Sequence, residues 1–249
     1  MKAPRKARLR EALAELETLR RRYETERELV ARVSHQFRTP LAAIKGFAET
    51  LRRGGLRDRR RRLEFVQTIE KHSDWLSRIV EGLLTVHGIE SRRHPLRPRR
   101  LELRAYLRRF AVSLAPVARK RRVRLAVEDG PGLVAWGDPD HLERALQSLC
   151  ENAIGHARTA VELRAWPEAR ASVVEIRDDG PGIPEELLPR LFDGLSRAPA
   201  ARRRHGTGLG LRIARCAVEA NGGKAWAANH PAGGAVFRFT LPRGAAPPD

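Results

Sequence analysis

Apolar positions in the first third of the chain recur at helical intervals. Leu9, Leu16, Tyr23 and Val30 stand seven residues apart, and Ala12, Leu19, Glu26 and Val33 follow each of them by three. This heptad, with Glu26 its one polar interruption, predicts a charged helix over residues 5–33 and a parallel two-stranded coiled coil. The helix is expected to continue through Leu51 and to break at Gly54-Gly55. A second periodic run over residues 60–89 places Leu63, Val66, Ile69, Leu76, Ile79, Val80, Leu83 and Leu84 on one helical face. Two helices with a short turn make a hairpin whose apolar stripe has no cover of its own. A second copy would bury that stripe in a four-helix bundle, so a homodimer is expected.

The periodicity changes after His94-Pro95-Leu96-Arg97-Pro98, a stiff polar stretch that reads as a linker. Beyond Leu101, helices are expected near 102–119, 139–157 and 207–221. Alternating or β-rich segments at 122–128, 159–166, 171–178, 224–229 and 234–241 read as strands. Helices gathered on one face of a mixed sheet give a two-layer α/β sandwich. The fold class is therefore α+β: a dimeric helical-hairpin bundle followed by a sandwich domain. The expected divisions are a coiled-coil helix (1–33), a hairpin (34–93), a linker (94–100) and a sandwich domain (101–249).

Composition narrows the partners. Lys and Arg number 49 against 30 Asp and Glu, a net charge of +19. The excess is nearly all arginine and is spread over every segment, so it predicts attraction to acidic partners without specific nucleic-acid reading. No apolar run approaches the roughly 18 residues a membrane helix needs. The basic residues 1–10 have no apolar stretch behind them, so no secretory leader is expected and the chain reads as cytoplasmic. Cys150 and Cys216 lie in apolar helical patterns without C-x-x-C spacing and are expected to be buried thiols. The eight histidines are scattered, which gives no reason to expect a structural metal.

Two motif groups carry chemistry. The first is Ser34-His35-Gln36-Phe37-Arg38-Thr39-Pro40-Leu41 on the first helix. A neutral imidazole is a good nucleophile near neutral pH, and a phosphoramidate formed on it keeps a high transfer potential. Pro40 removes a backbone donor inside the helix, frees the carbonyl of Gln36 and bends the helix beside His35. The second group is Asp178-Asp179-Gly180-Pro181-Gly182-Ile183 followed by Gly206-Thr207-Gly208-Leu209-Gly210-Leu211. Those glycines permit tight backbone, and a helix opening behind them offers free N–H groups to phosphate.

In order and spacing these motifs resemble the sensor histidine kinases of two-component signalling. In that family a phosphoacceptor and dimerisation hairpin precedes an ATP-binding sandwich, a domain architecture shared with DNA gyrase and the heat-shock chaperone ATPases. The resemblance implies that His35 is the phosphoacceptor. It also implies that Thr39 helps position water for dephosphorylating the partner. An acidic residue commonly follows the histidine; Gln36 stands here, able to accept a hydrogen bond but not the proton.

Asn152-Ala153 matches the family's asparagine box, which assigns Asn152 to Mg²⁺. Ser148 replaces another frequent Asn, and Gly155 stands where a basic residue commonly reaches phosphate. His156 takes the place of an aromatic residue bordering adenine. Asp178 is implied to accept from the adenine amino group, which disfavours GTP, with Gly180, Gly182 and Ile183 under the base. Residues 184–205 resemble a flexible lid, with Leu191-Phe192-Asp193-Gly194-Leu195 as its phenylalanine box and Arg197 at a usually basic position. Gly206, Thr207, Gly208, Leu209 and Gly210 then meet phosphate, and Arg202-Arg203-Arg204 is a solvated lid face or a substitute for the base missing at Gly155.

Together these imply an enzyme that uses Mg-ATP to phosphorylate itself on His35 and passes the group to a response-regulator aspartate. The alternative is a degenerate dimeric scaffold or phosphatase that binds ATP weakly and dephosphorylates or sequesters a regulator.

Overall fold

A computed structural model of the protein describes residues 3–54, 59–91, 96–194 and 208–244, with the side chains of α1 described continuously from Val33 onward. The chain divides into two compact units, Met1–Ser77 and Arg78–Asp249.

The first unit holds α1 (Ala3–Arg52) and the start of α2 (Arg59–Glu90). Pro40 lies inside α1 and is buried, while Leu41 beside it is exposed. The helices meet through Phe47 and Phe65, whose rings pack edge to face with centroids 4.8 Å apart. Gly54 closes α1 with a φ of +68°, a left-handed value that glycine adopts without strain. Leu63 and Val66 of the expected stripe stand open to solvent in the single chain. Of the heptad, Leu16 is exposed and Val33 half-buried; the side chains of Leu9, Ala12, Leu19, Tyr23, Glu26 and Val30 lie outside the described residues.

The second unit is a two-layer α/β sandwich. Its elements are β1 (Arg99–Glu102), α3 (Leu103–Lys120), β2 (Arg124–Val127), β3 (Val134–Gly137), α4 (Pro139–His156), β4 (Ala160–Glu168), β5 (Ala171–Asp178), α5 (Gly210–Ala220), β6 (Ala225–Asn229) and β7 (Ala235–Pro242). The main sheet runs β2-β4-β5-β7-β6, with β2 parallel to β4 and the other neighbours antiparallel. Strand alternation sends Val161, Leu163 and Ala165, Val174 and Ile176, and Phe237, Phe239 and Leu241 toward the helices. From the helices, Leu107, Leu142, Leu146, Leu149 and Ala214 complete that core.

The opposite sheet face mixes buried Val173 and Val236 with charged pairs. There Glu175, 4% exposed, accepts from Arg238 Nε at 2.7 Å. A carboxylate this buried needs such a partner, because an unpaired charge would keep its full desolvation cost.

Two caps set the helices that matter for the site. Glu102 accepts from Ala105 N at 2.7 Å and starts α3, while its other oxygen takes Leu133 N. Asp138 accepts from Asp140 N and His141 N and starts α4, with Pro139 at the first helical position. Along α4, Leu142, Ala145, Leu146, Leu149, Cys150 and Ala153 are buried. The side carrying Ser148, Asn152, Gly155 and His156 is left half-buried.

The structure adds to and amends the sequence expectations. β1 and β3 were not expected; they exist by pairing with each other, Arg99 opposite Gly137 through Glu102 opposite Val134. Of the segment 184–205 expected as a lid, residues 184–194 are described. Glu185–Arg190 is a 3-10 helix, and Phe192 is 7% exposed within the hydrophobic core. Cys150 is fully buried, which pushes its thiol up. Cys216 is only half-buried; burial and the neighbouring Glu90 push its thiol up to about 12. No helix among the described residues is long and apolar enough to cross a membrane.

Candidate active site

His35, Gln36 and Thr39 lie on α1 in the first unit. His35 and Thr39 are exposed, and three intervening residues place them about one helical turn apart. Gln36 is half-buried, and its Oε1 has no hydrogen-bond partner among the described residues. The imidazole is thus open to an incoming electrophile, with an unused carbonyl acceptor on the next residue.

The second unit assembles the other candidates from three places: the last turns of α4, the loop after β5, and the start of α5. Gly210 opens α5 against α4, since a Cβ there would lie 3.6 Å from Ser148 Cβ. Leu209, fully buried, precedes it without any side-chain cap hydrogen bond. Among the described residues no side chain caps the start of α5, the condition under which a helix start attracts phosphate. Gly208 has a φ of +76°, which lets the chain turn into that helix. Asn152 lies one turn after Ser148 on the same side of α4.

At the end of β5, Asp178 is 1% exposed. Its Oδ1 accepts from Gly180 N at 2.8 Å and Ala235 N at 3.3 Å, and its Oδ2 has no partner among the described residues. Burial pushes the carboxyl above the usual range, and those two amide donors only partly oppose the rise. Gly180 is required by close approach, since a Cβ there would fall 2.5 Å from the carbonyl oxygen of His156. His156, in the last turn of α4, therefore borders the Asp178 loop directly, and its charge favours the ionised form of Asp178.

Asp179 turns the other way. It accepts from Arg158 N, from Thr159 N and from the Thr159 hydroxyl. Desolvation opposes its charge, but these donors outweigh it and hold the carboxyl well below the usual range. Of two adjacent aspartates, one is fully committed to the scaffold and the other keeps an oxygen to offer.

Sequence reasoning missed the residues that hold this loop from the far side. The β6–β7 turn brings Gly234 so close that a Cβ would fall 1.9 Å from the carbonyl oxygen of Asp178. Asn229 bonds both backbone groups of Ile183. No local pattern in residues 225–235 signals either contact. Arg197, Arg202, Arg203, Arg204, Gly206 and Thr207 lie outside the described residues. No group of three or more His, Cys, Asp or Glu suited to a metal occurs among the described residues. Asn152 is half-buried on α4 and offers an amide oxygen, a hard donor of the kind Mg²⁺ takes beside phosphate and water.

The second unit thus joins a two-layer sandwich to a buried, half-satisfied aspartate beside glycine-opened backbone. The family described as "Histidine kinase-, DNA gyrase B-, and HSP90-like ATPase" matches residues 137–245. The "His Kinase A (phospho-acceptor) domain" family matches residues 25–92. The sensor histidine kinase component HK1 of Mycobacterium tuberculosis is 43% identical over 112 residues, 45% of this chain and 67% of that protein. Sensor protein KdpD of Clostridium acetobutylicum is 32% identical over 86% of this chain. The crystal structure of histidine kinase ThkA in complex with response regulator protein TrrA superposes with a TM-score of 0.72 at 25% identity, covering 93% of this chain and 66% of that one. The chain belongs to the sensor histidine kinases of two-component systems. It spans 24% of the KdpD length.

Proposed function

We propose that the chain acts as an ATP-dependent protein-histidine kinase, phosphorylating itself on His35 and passing the phosphoryl group to an aspartate of a response-regulator receiver domain. In this reading residues 1–33 form a coiled coil, 34–93 the dimerisation and phosphotransfer hairpin, 94–100 a linker and 101–249 the ATP-binding domain. The working unit is a homodimer, whose four-helix bundle covers Leu63, Val66, Val80 and Leu84, all exposed in the single chain. The ThkA structure, determined with a response regulator bound, supports the choice of partner.

The observation that carries the reading is Asp178. A buried carboxylate with one oxygen satisfied and the other bare is an acceptor waiting for a donor. The adenine amino group is such a donor, and guanine offers a carbonyl there instead. Gly180, Gly182 and Ile183 supply backbone under the base, with His156 at its edge. Gly206, Thr207, Gly208, Leu209 and Gly210, with Arg197, are assigned to the phosphates by the motif. Asn152 would hold Mg²⁺, which when bound neutralises charge on the triphosphate.

At His35 an imidazole nitrogen attacks the γ-phosphorus; the P–N bond forms as the P–O bond to ADP breaks, and the ring proton passes to solvent water at the exposed imidazole. Gln36 can orient the ring through its amide oxygen but cannot take that proton. Thr39 serves the reverse task of positioning water for dephosphorylation of the regulator. Catalysis rests on positioning and charge neutralisation.

Incubation of the full chain with γ-labelled ATP tests the reading: acid-labile, alkali-stable label on the protein is expected. ATP binding with no label at all would instead support a scaffold or phosphatase. One feature favours that second reading. A Cβ on Gly155 would meet nothing within 4 Å, leaving open space where relatives place a phosphate-reaching cation. Gly155→Lys should therefore tighten ATP several-fold, given about 0.5–1 kcal/mol for a half-exposed charge contact, and leave adenosine affinity unchanged. Paired titrations with the two ligands measure this; equal effects on both would refute a phosphate contact.

Gln36→Glu should accelerate autophosphorylation. It restores a proton acceptor, and the burial of the Gln36 amide oxygen would raise the carboxyl toward neutrality, where a general base works best. General-base help is worth about 10²–10⁴ in rate, so even partial recovery is measurable. The readout is the single-turnover rate at saturating ATP; no increase means the missing base does not limit the step.

A further inference from the structure

The Asp178–Ile183 loop reaches its shape through bonds to the edge of the sheet. Asn229 is the last residue of β6, the edge strand, and pairs with Ala235 across the β6–β7 turn. Its Oδ1 accepts from Ile183 N at 2.7 Å, and its Nδ2 donates to Ile183 O at 2.8 Å. One carboxamide thus occupies both backbone groups of Ile183, as a neighbouring strand residue would. The clamp is matched to its surroundings. Gly182, with a φ of +81°, lies so near that a Cβ there would fall 2.8 Å from Asn229 Oδ1.

The other end of the turn holds the other end of the loop. Ala235 N donates to Asp178 Oδ1, and Gly234, with a φ of +89°, packs its Cα against the Asp178 carbonyl. His230 N donates to Gly234 O at 3.0 Å and closes the turn between these two grips. Asn229 is itself exposed and stands outside the hydrophobic core. Its hydrogen bonds therefore serve the loop more than the stability of the sandwich.

We propose that Asn229 is a positioning residue for base recognition, clamping Ile183 so that the Asp178–Ile183 loop presents the bare oxygen of Asp178 and the Gly180–Gly182 backbone to adenine. This rests on the ATP reading above and adds to it a residue outside every glycine or asparagine motif.

The test compares the full-length chain with Asn229→Ala and Asn229→Asp. Losing two backbone hydrogen bonds should weaken ATP and adenosine by the same factor, on the order of tenfold, and leave inorganic triphosphate binding unchanged. Asn229→Asp keeps the acceptor for Ile183 N but loses the donor to Ile183 O, so it should fall between wild type and Asn229→Ala. Amide exchange at Ile183 should quicken in Asn229→Ala while the melting temperature holds. Wild-type ATP and adenosine affinity in Asn229→Ala would overturn the proposal, as would an equal loss for inorganic triphosphate. A wild-type chain that binds no adenine nucleotide would overturn the ATP reading itself. That failure is distinct, because Ile183 exchange would still report whether the clamp holds the loop.

Discussion

His35→Ala is expected to reduce acid-labile phosphorylation to background while leaving ATP affinity within about twofold of wild type, less than 0.5 kcal/mol. The two halves of that expectation rest on different residues. The only imidazole preceding Arg38-Thr39-Pro40 is His35, exposed on α1. The nucleotide candidates Asn152, His156, Asp178 and Gly210 all belong to the unit from Arg78 onward. Labelled ATP, followed by acid and alkali treatment of the denatured protein, reads the first half; an equilibrium titration reads the second. Label persisting on the mutant would move the phosphoacceptor elsewhere and remove the central assignment.

Asp178→Asn should produce the second large effect. The bare Oδ2 is an acceptor in a buried setting, and a hydrogen bond to a carboxylate in its charged form is worth about 1.5–3 kcal/mol, or roughly tenfold to a hundredfold in ATP affinity. The amide can also present a donor, so discrimination against GTP should shrink at the same time. Competition titrations with both nucleotides measure the ratio; an unchanged ATP-to-GTP preference would show that Asp178 does not face the base. A pH series adds a sign. Burial raises the Asp178 carboxyl, so the acceptor protonates and affinity starts to fall at a higher pH than for an ordinary carboxylate. That component of the pH dependence should vanish in the asparagine variant.

Much of this molecule could be read from the sequence because its regular elements carry strong periodic signals. The stripe from Leu63 to Leu84 placed α2, and the helix expected near 139–157 matches α4 at Pro139–His156. The alternation in β4, β5 and β7 likewise placed those strands within one or two residues. β1 and β3 were invisible for the opposite reason. Four residues such as Arg99-Arg100-Leu101-Glu102 have no period long enough to detect, and only their partner makes them a strand. The buried Phe192 shows the same limit, because a phenylalanine between Leu191 and Asp193 says nothing about which core, if any, receives it.

The candidate site divides along the same line. By itself the sequence named the candidate chemistry: an imidazole at His35, a carboxylate at Asp178, an amide oxygen at Asn152 and glycines at 206, 208 and 210. Those are properties of residue types at short spacings, and short spacings survive in one dimension. Only the tertiary structure decided how the groups are held. It satisfied one oxygen of Asp178 and left the other bare, committed Asp179 to Thr159, and brought Asn229 across 46 residues of chain to Ile183. Such contacts depend on strand order and register, which are set by burial of the whole sheet and leave no local trace in the residues that make them.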